Sequence, residues 1–141
     1  MGKIDRFREA YFFLSNFYEC PVTFDGITYQ NNEAAFQAQK TLDPAERAAF
    51  SVLNPTEAKH RGRKVSLRAD WEAVKVGLMY EICKAKFTQH PDLAQKLLAT
   101  GDAELIEGNT WGDRIWGAVN GVGANNLGKI LMRIRGELRA Q

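Results

Sequence analysis

The residues that build metal and redox centres are scarce in this chain. Its 141 residues include only two cysteines and two histidines. Cys20 and Cys83 stand far apart with no CxxC spacing, and His60 and His90 fall in unrelated contexts. A zinc site built from protein ligands is not expected, and both cysteines read as buried free thiols. No local motif supports a Cys–His nucleophile. Long apolar runs are also missing. Nothing approaches the ~20 residues of a membrane span, and charges interrupt the opening MGKIDRFREAYFF, so neither a signal peptide nor a membrane anchor is expected. Nor is there an excess of one charge. The 19 basic and 17 acidic residues leave a net +2, which neither demands nor excludes nucleic acid. Repeats, low-complexity tracts and Pro/Ser-rich linkers are absent. One domain over 1–141, in the cytoplasm, is the expectation.

What is present is ordered punctuation. Val22 to Tyr29 alternates around Asp25-Gly26, the signature of a two-residue hairpin. Asp43-Pro44 and Asn54-Pro55 each place a capping side chain before an N1 proline, so each opens a helix. Trp71, Val74, Leu78, Ile82 and Ala85 recur at helical spacing, which predicts a long helix from about Ala69 to Gln89, ended by His90-Pro91. A shorter helix follows over roughly Pro91 to Ala99. Glu104 to Glu107 suits a short strand. Leu127, Ile130, Leu131, Ile134 and Leu138 form the apolar stripe of a last helix. The sum is a helix-dominated α+β domain with a small hairpin or sheet, not a βαβ repeat, which argues against a Rossmann architecture.

The segment NNEAAFQAQK, Asn31 to Lys40, reads as a helix. At 100° per residue, Gln37 falls about 40° to one side of Glu33 and Lys40 about 20° to the other. Ala34, Ala35, Ala38 and Leu42 take the opposite half, as a packing face. Glu33 and Lys40 are separated by roughly 10 Å along the axis, beyond the i,i+4 spacing of helix ion pairs. Each is left to meet something else: solvent, as an ordinary polar face, or a ligand.

Near the end of the chain, Gly112, Gly117, Gly121, Gly123 and Gly128 cluster with Trp111, Trp116, Asp113, Asn120, Asn125 and Asn126. Glycine allows close backbone approach. Asn125 or Asn126 can cap the next helix, whose exposed N–H groups would attract a phosphate. The run Gly123 to Lys129 superficially fits a P-loop, but Ile130 stands where a Ser or Thr must hold Mg²⁺, so ATP hydrolysis is not expected. Trp111 and Trp116 are indoles suited to stacking on a base or closing a pocket.

Taken together, these segments resemble one family. Leu14-Ser15-Asn16-Phe17, Phe24-Asp25-Gly26-Ile27-Thr28-Tyr29 and Glu33-x-x-Phe36-Gln37-Ala38-Gln39-Lys40 look like the N-terminal signature of the NADAR family of YbiA-like N-glycosidases. Gly62-Arg63-Lys64-Val65-x-Leu67-Arg68-x-x-Trp71 looks like its middle motif. Trp111-Gly112-Asp113 and Gly123-x-Asn125-Asn126-Leu127-Gly128-Lys129-x-Leu131-Met132-x-x-Arg135 look like its C-terminal one. The match spans nearly the whole chain in order. It implies hydrolysis of a C1–N ribosyl bond. The substrate would be a phosphoribosyl intermediate of riboflavin synthesis, or ADP-ribose on guanine, including ADP-ribosylated nucleic acid. No cofactor, metal or membrane is implied, and the number of assembled copies is left open. Glu33, Lys40 and Asp113 are carried over as catalytic candidates. Asn16, Phe36, Gln37, Arg63, Trp71, Trp111, Gly112 and Asn126 are carried over as substrate-binding ones.

The chemistry suits these residue types. Breaking an N-ribosidic bond builds positive charge at C1 and the ring oxygen. A carboxylate such as Glu33 stabilises that charge and orients or deprotonates water. Asp113 is a second acid for ribose hydroxyls or the base role. Lys40 can anchor phosphate as a point charge or act as a desolvated amine nucleophile. Arg61, Arg63 and Arg68 offer forks for phosphate. The rival expectation is a module that binds ADP-ribose or a related nucleotide without cleaving it.

Overall fold

The computed structural model describes residues 2–141. The chain divides into two compact units, Asn16–Gln89 and, joined to the segment ending at Ser15, His90–Gln141.

In the Asn16–Gln89 unit the Asp25-Gly26 signal forms its hairpin. Strand β2 (Glu19–Phe24) pairs antiparallel with β3 (Ile27–Asn31), in register Val22–Tyr29, Thr23–Thr28 and Phe24–Ile27. Asp25 and Gly26 take φ of 51° and 84°, the left-handed pair that a type I′ turn requires. Alternation turns Cys20 and Val22 inward. At the far end of the unit, Gln89 reads β2 as a strand would. Its Oε1 accepts the Thr23 N–H and its Nε2 donates to the Thr23 carbonyl, each at 2.9 Å.

Helix α1 (Asn32–Ala38) follows β3 directly, with the Asn31 side chain accepting the Ala34 N–H at 2.7 Å. All seven of its residues are buried, among β2, β3, α3 and α4. The helix therefore has no solvated face, and the expected division into a packing half and a polar half does not hold. It also ends before Gln39: Lys40 lies in the turn that follows, and Leu42 is outside the helix with 63% of its surface exposed.

The capped starts form as the sequence indicates. Asp43 accepts the Ala45 N–H to open α2 (Pro44–Ala49). Asn54 and Glu57 make a reciprocal capping box for α3 (Pro55–Arg61). Helix α4 (Trp71–Gln89) buries Trp71, Met79, Ile82, Cys83, Lys86 and Phe87. Val74, Leu78 and Ala85 of the expected stripe are only partly covered.

The second unit holds α5 (Pro91–Ala99) and α6 (Asn126–Arg139), together with β1 (Lys3–Ile4), which pairs parallel with β4 (Glu104–Leu105). A 3-10 helix over Glu9–Leu14, with no counterpart in the sequence reading, lies between β1 and the first residues of the other unit. Among the described residues there are two two-stranded sheets and six α-helices, and the chain is α+β. Among the described residues no helix is long and apolar enough to cross a membrane.

Candidate active site

The Asn16–Gln89 unit places Glu33, Phe36 and Gln37 on α1, Lys40 in the turn after it, and Trp71 at the start of α4 against Phe36 and Lys40. Glu33 is in the first turn of the helix and only 8% exposed. Its backbone N–H donates to the Asn16 carbonyl at 3.0 Å. Gln37, one turn on, donates from Nε2 to Glu33 Oε2 at 2.7 Å. Asn16, a sequence candidate for substrate contact, supports this turn from beneath. Besides its carbonyl, its Oδ1 accepts from Asn32 Nδ2 at 3.3 Å, and its own Nδ2 reaches the Met79 sulfur at 3.4 Å.

Lys40 leaves the helix end over the Trp71 indole, with Nζ 5.9 Å from the ring centroid. The same indole packs against Phe36 at 5.1 Å between centroids. Two bonds fix the backbone here: Arg68 N–H donates to the Lys40 carbonyl at 2.8 Å, and Gln39 Nε2 returns to the Ala35 carbonyl at 3.0 Å. Desolvation is the largest influence on the Lys40 ammonium and pulls its pKa below the ordinary lysine value. The Glu33 charge opposes that fall, while Arg63 and Lys75 add to it. Glu33 and Lys40 thus act on each other electrostatically, although the helix that carries one stops short of the other.

The arginines divide. Arg68 grips Asp70 with both arms of its fork, Nε to Oδ1 at 2.6 Å and Nη2 to Oδ2 at 3.1 Å. That pairing keeps the guanidinium strongly basic and the Asp70 carboxyl acidic, and it occupies the fork that a phosphate would need. Arg61 and Arg63 are exposed at the end of α3.

The remaining sequence candidates lie in the other unit. Trp111 is 53% exposed and Gly112 takes φ of 88°. Asp113 Oδ1 accepts the backbone N–H groups of Ile115 and Trp116 at 3.0 and 2.9 Å, shaping the loop. Asn126 donates from Nδ2 to the Ile115 carbonyl at 2.9 Å. The expected capping of α6 by an asparagine is not what the structure shows. Asn125 occupies the N-cap position at φ 52° but makes no side-chain cap. Its amide instead bridges to the Glu107 N–H and the Leu105 carbonyl, both at 2.9 Å. The N–H groups of Asn126 and Leu127 donate to the carbonyls of Ile115 and Trp116 at 3.1 and 3.0 Å. This helix start is filled from within the loop, which removes the anion cradle expected of it.

Cys20 and Cys83 are both free and buried. Burial pushes the Cys83 thiol up to about 12, so it is protonated and inert at neutral pH. Two residues with a bearing on the site were missed in the sequence. Lys75 lies one turn beyond Trp71 on α4 and ion-pairs with Glu72 at 2.6 Å; the i,i+4 spacing from Trp71 could have flagged it. Gly62 touches the Gln37 side chain, and no sequence pattern signals that contact.

The family model described as the NADAR domain matches residues 5–139. The chain is 44% identical over 128 residues to the N-glycosidase YbiA of Shigella boydii, covering 88% of this chain and 79% of that protein. It is 39% identical over 137 residues to a riboflavin biosynthesis protein of Vibrio vulnificus, covering 93% of this chain and 36% of that one. The NMR structure of the E. coli protein YbiA superposes with a TM-score of 0.86 at 38% sequence identity, covering 99% of this chain and 88% of that one. By a family match across nearly its full length and by relatives that are N-glycosidases, the chain belongs to the NADAR family and is an N-glycosyl hydrolase.

Proposed function

We propose that this chain hydrolyses the C1–N bond of a phosphoribosyl or ADP-ribosyl substrate, with Glu33 as the acid/base and Lys40 as the attacking amine. The observation that carries this reading is one carboxylate and one desolvated amine, electrostatically coupled, beside the Phe36 and Trp71 rings and the Gln37 amide, with the charges of Arg63 and Lys75 also felt by the amine. A ribosyl carbon is the kind of centre that needs both. As the C1–N bond lengthens, positive charge builds at C1, and the Glu33 carboxylate stabilises it. Neutral Lys40 attacks C1 as the C1–N bond breaks, and Glu33 relays the proton lost by the attacking amine to the nitrogen of the leaving base. Ring opening then gives an imine, which water hydrolyses to return the free lysine and the sugar. The net change puts the water's hydroxyl on C1 and its remaining proton on the departing nitrogen.

A second role for Lys40 has its own support. An ammonium over an indole is a favourable cation–π placement, which suits a charged anchor for phosphate. Borohydride distinguishes the two. The protein is given a phosphoribosylamino-pyrimidine or an ADP-ribosyl-guanine oligonucleotide, with and without borohydride, and followed by mass spectrometry. Release of the free base together with a reduced ribosyl adduct on Lys40 is the expected result. Release without an adduct makes Lys40 the anchor. Absence of release from either compound overturns the ribosyl reading. The name of the Vibrio relative favours the pyrimidine compound.

A further inference from the structure

Gly62 occupies the C-cap of α3 at φ −60° and ψ −18°, ordinary right-handed helical backbone that any residue adopts. Its identity is therefore not explained by conformation, as glycine at a helix end commonly is. Space explains it. A Cβ at this position would lie 2.0 Å from Gln37 Oε1, 2.8 Å from Gln37 Cδ and 3.3 Å from Gln37 Cβ. The carboxamide of Gln37 fills the volume that a side chain at 62 would take. Both residues are buried, and among the described residues Gln37 Oε1 has no hydrogen-bond donor.

The other end of the same carboxamide donates to Glu33 Oε2 at 2.7 Å. We infer that Gly62 and Gln37 form a positioning pair for the Glu33 carboxylate: the bare Cα seats the amide, and the seated amide fixes the carboxylate. Gln37, expected from the sequence to bind substrate, acts on the reaction through Glu33. The inference rests on the reading that Glu33 works at C1. It also assigns the glycine that opens the Gly62-Arg63-Lys64 segment a purpose separate from its basic neighbours. A methyl at 62 would meet only the Gln37 side chain, overlapping its Oε1 and Cδ, so it is this carboxamide rather than any backbone that gives way. The amide must rotate away, and its N–H leaves Oε2 as it does so.

The test is a two-by-two set: wild type, Gly62→Ala, Gln37→Ser and the double variant, with Glu33→Gln as reference. Gln37→Ser empties the seat, so it should accept the methyl. Turnover is read on the phosphoribosylamino-pyrimidine and the ADP-ribosyl-guanine oligonucleotide, and the Glu33 carboxyl is followed by carbon-13 NMR against pH. Gly62→Ala is expected to lower kcat about 100-fold, the scale of a 1 Å misplacement, with KM within about twofold. Loss of an N–H donor to the ionised carboxylate should move the acid limb of the rate profile and the NMR midpoint to higher pH. In the Gln37→Ser background, Gly62→Ala should add little. A Gly62→Ala protein with unchanged kcat and midpoint, or an equal loss in both backgrounds, overturns the positioning pair. If Glu33→Gln is itself fully active, the reading of Glu33 fails, whatever the NMR shows of the Gln37 contact.

Discussion

Lys86 provides a quantitative test of the packing. It lies on α4 with 1% of its surface exposed, its ammonium 5.4 Å from the Tyr18 ring centroid and 5.2 Å from that of Phe87. Burial pulls its pKa from 10.5 to about 8, against the opposing influence of Cys20 and Cys83. At ~1.4 kcal/mol per pH unit, holding this lysine charged costs the folded state about 3 kcal/mol at pH 7. The sign follows from proton binding. Between about pH 8 and 10.5 the unfolded chain binds the proton more tightly than the folded one, so this contribution to stability rises with pH through that window and is flat below it. Lys86→Met keeps most of the volume and removes the charge. It should raise stability at pH 7 by up to about 3 kcal/mol, roughly 10 °C in Tm for a chain of this size, and the gain should shrink to about 1 kcal/mol by pH 10. Urea titrations of both proteins at pH 7 and pH 10 measure the difference directly, with other titrating groups cancelling between them. A gap that does not change with pH, or a less stable variant at pH 7, would refute the reasoning.

Two further predictions concern the site and its frame. If the Lys40 amine is the nucleophile, the rate of borohydride trapping should rise with pH along a limb whose midpoint lies below the ordinary 10.5 of lysine, since burial lowers it; a midpoint at or above 10.5 contradicts the desolvated environment. Asn54→Ala removes half of the α3 capping box and should cost about 1 kcal/mol, seen as a drop in urea midpoint with unchanged slope. A neutral result would mean that packing rather than capping sets the start of α3.

Those elements whose physics is local could be read from the sequence. Asp25-Gly26 demands two left-handed residues, and the hairpin is there. Asp43, Asn54 and the prolines after them mark helix starts because a cap and an N1 proline act within four residues. What required the tertiary structure was harder to see. Strands β1 and β4 are two residues each and exist only because Lys3 and Ile4 pair with Glu104 and Leu105 across a hundred positions. Helix α1 is covered on every side, so no periodicity could show which side chains face a ligand, and its end at Ala38 moved Lys40 into a turn. Lys86 looks like a solvated lysine until the rings around it are known. Within the site, Glu33, Lys40 and Trp71 were legible as a set through their motif resemblance. Gly62 was visible as a letter in that motif but not in its purpose, because its φ/ψ is that of any helical residue and only the neighbouring Gln37 makes it necessary.

The central claim is that the Glu33 carboxylate breaks a ribosyl C1–N bond, and Glu33→Gln tests it most directly. The amide keeps the volume of the side chain within α1 while removing its charge. Wild type and variant would be compared by calorimetric binding and by mass-spectrometric release of base from the phosphoribosylamino-pyrimidine and the ADP-ribosyl-guanine oligonucleotide. The account predicts that the variant binds the preferred compound within a few-fold of wild type while release falls by at least about 100-fold. Release at the wild-type rate by the folded variant would contradict it.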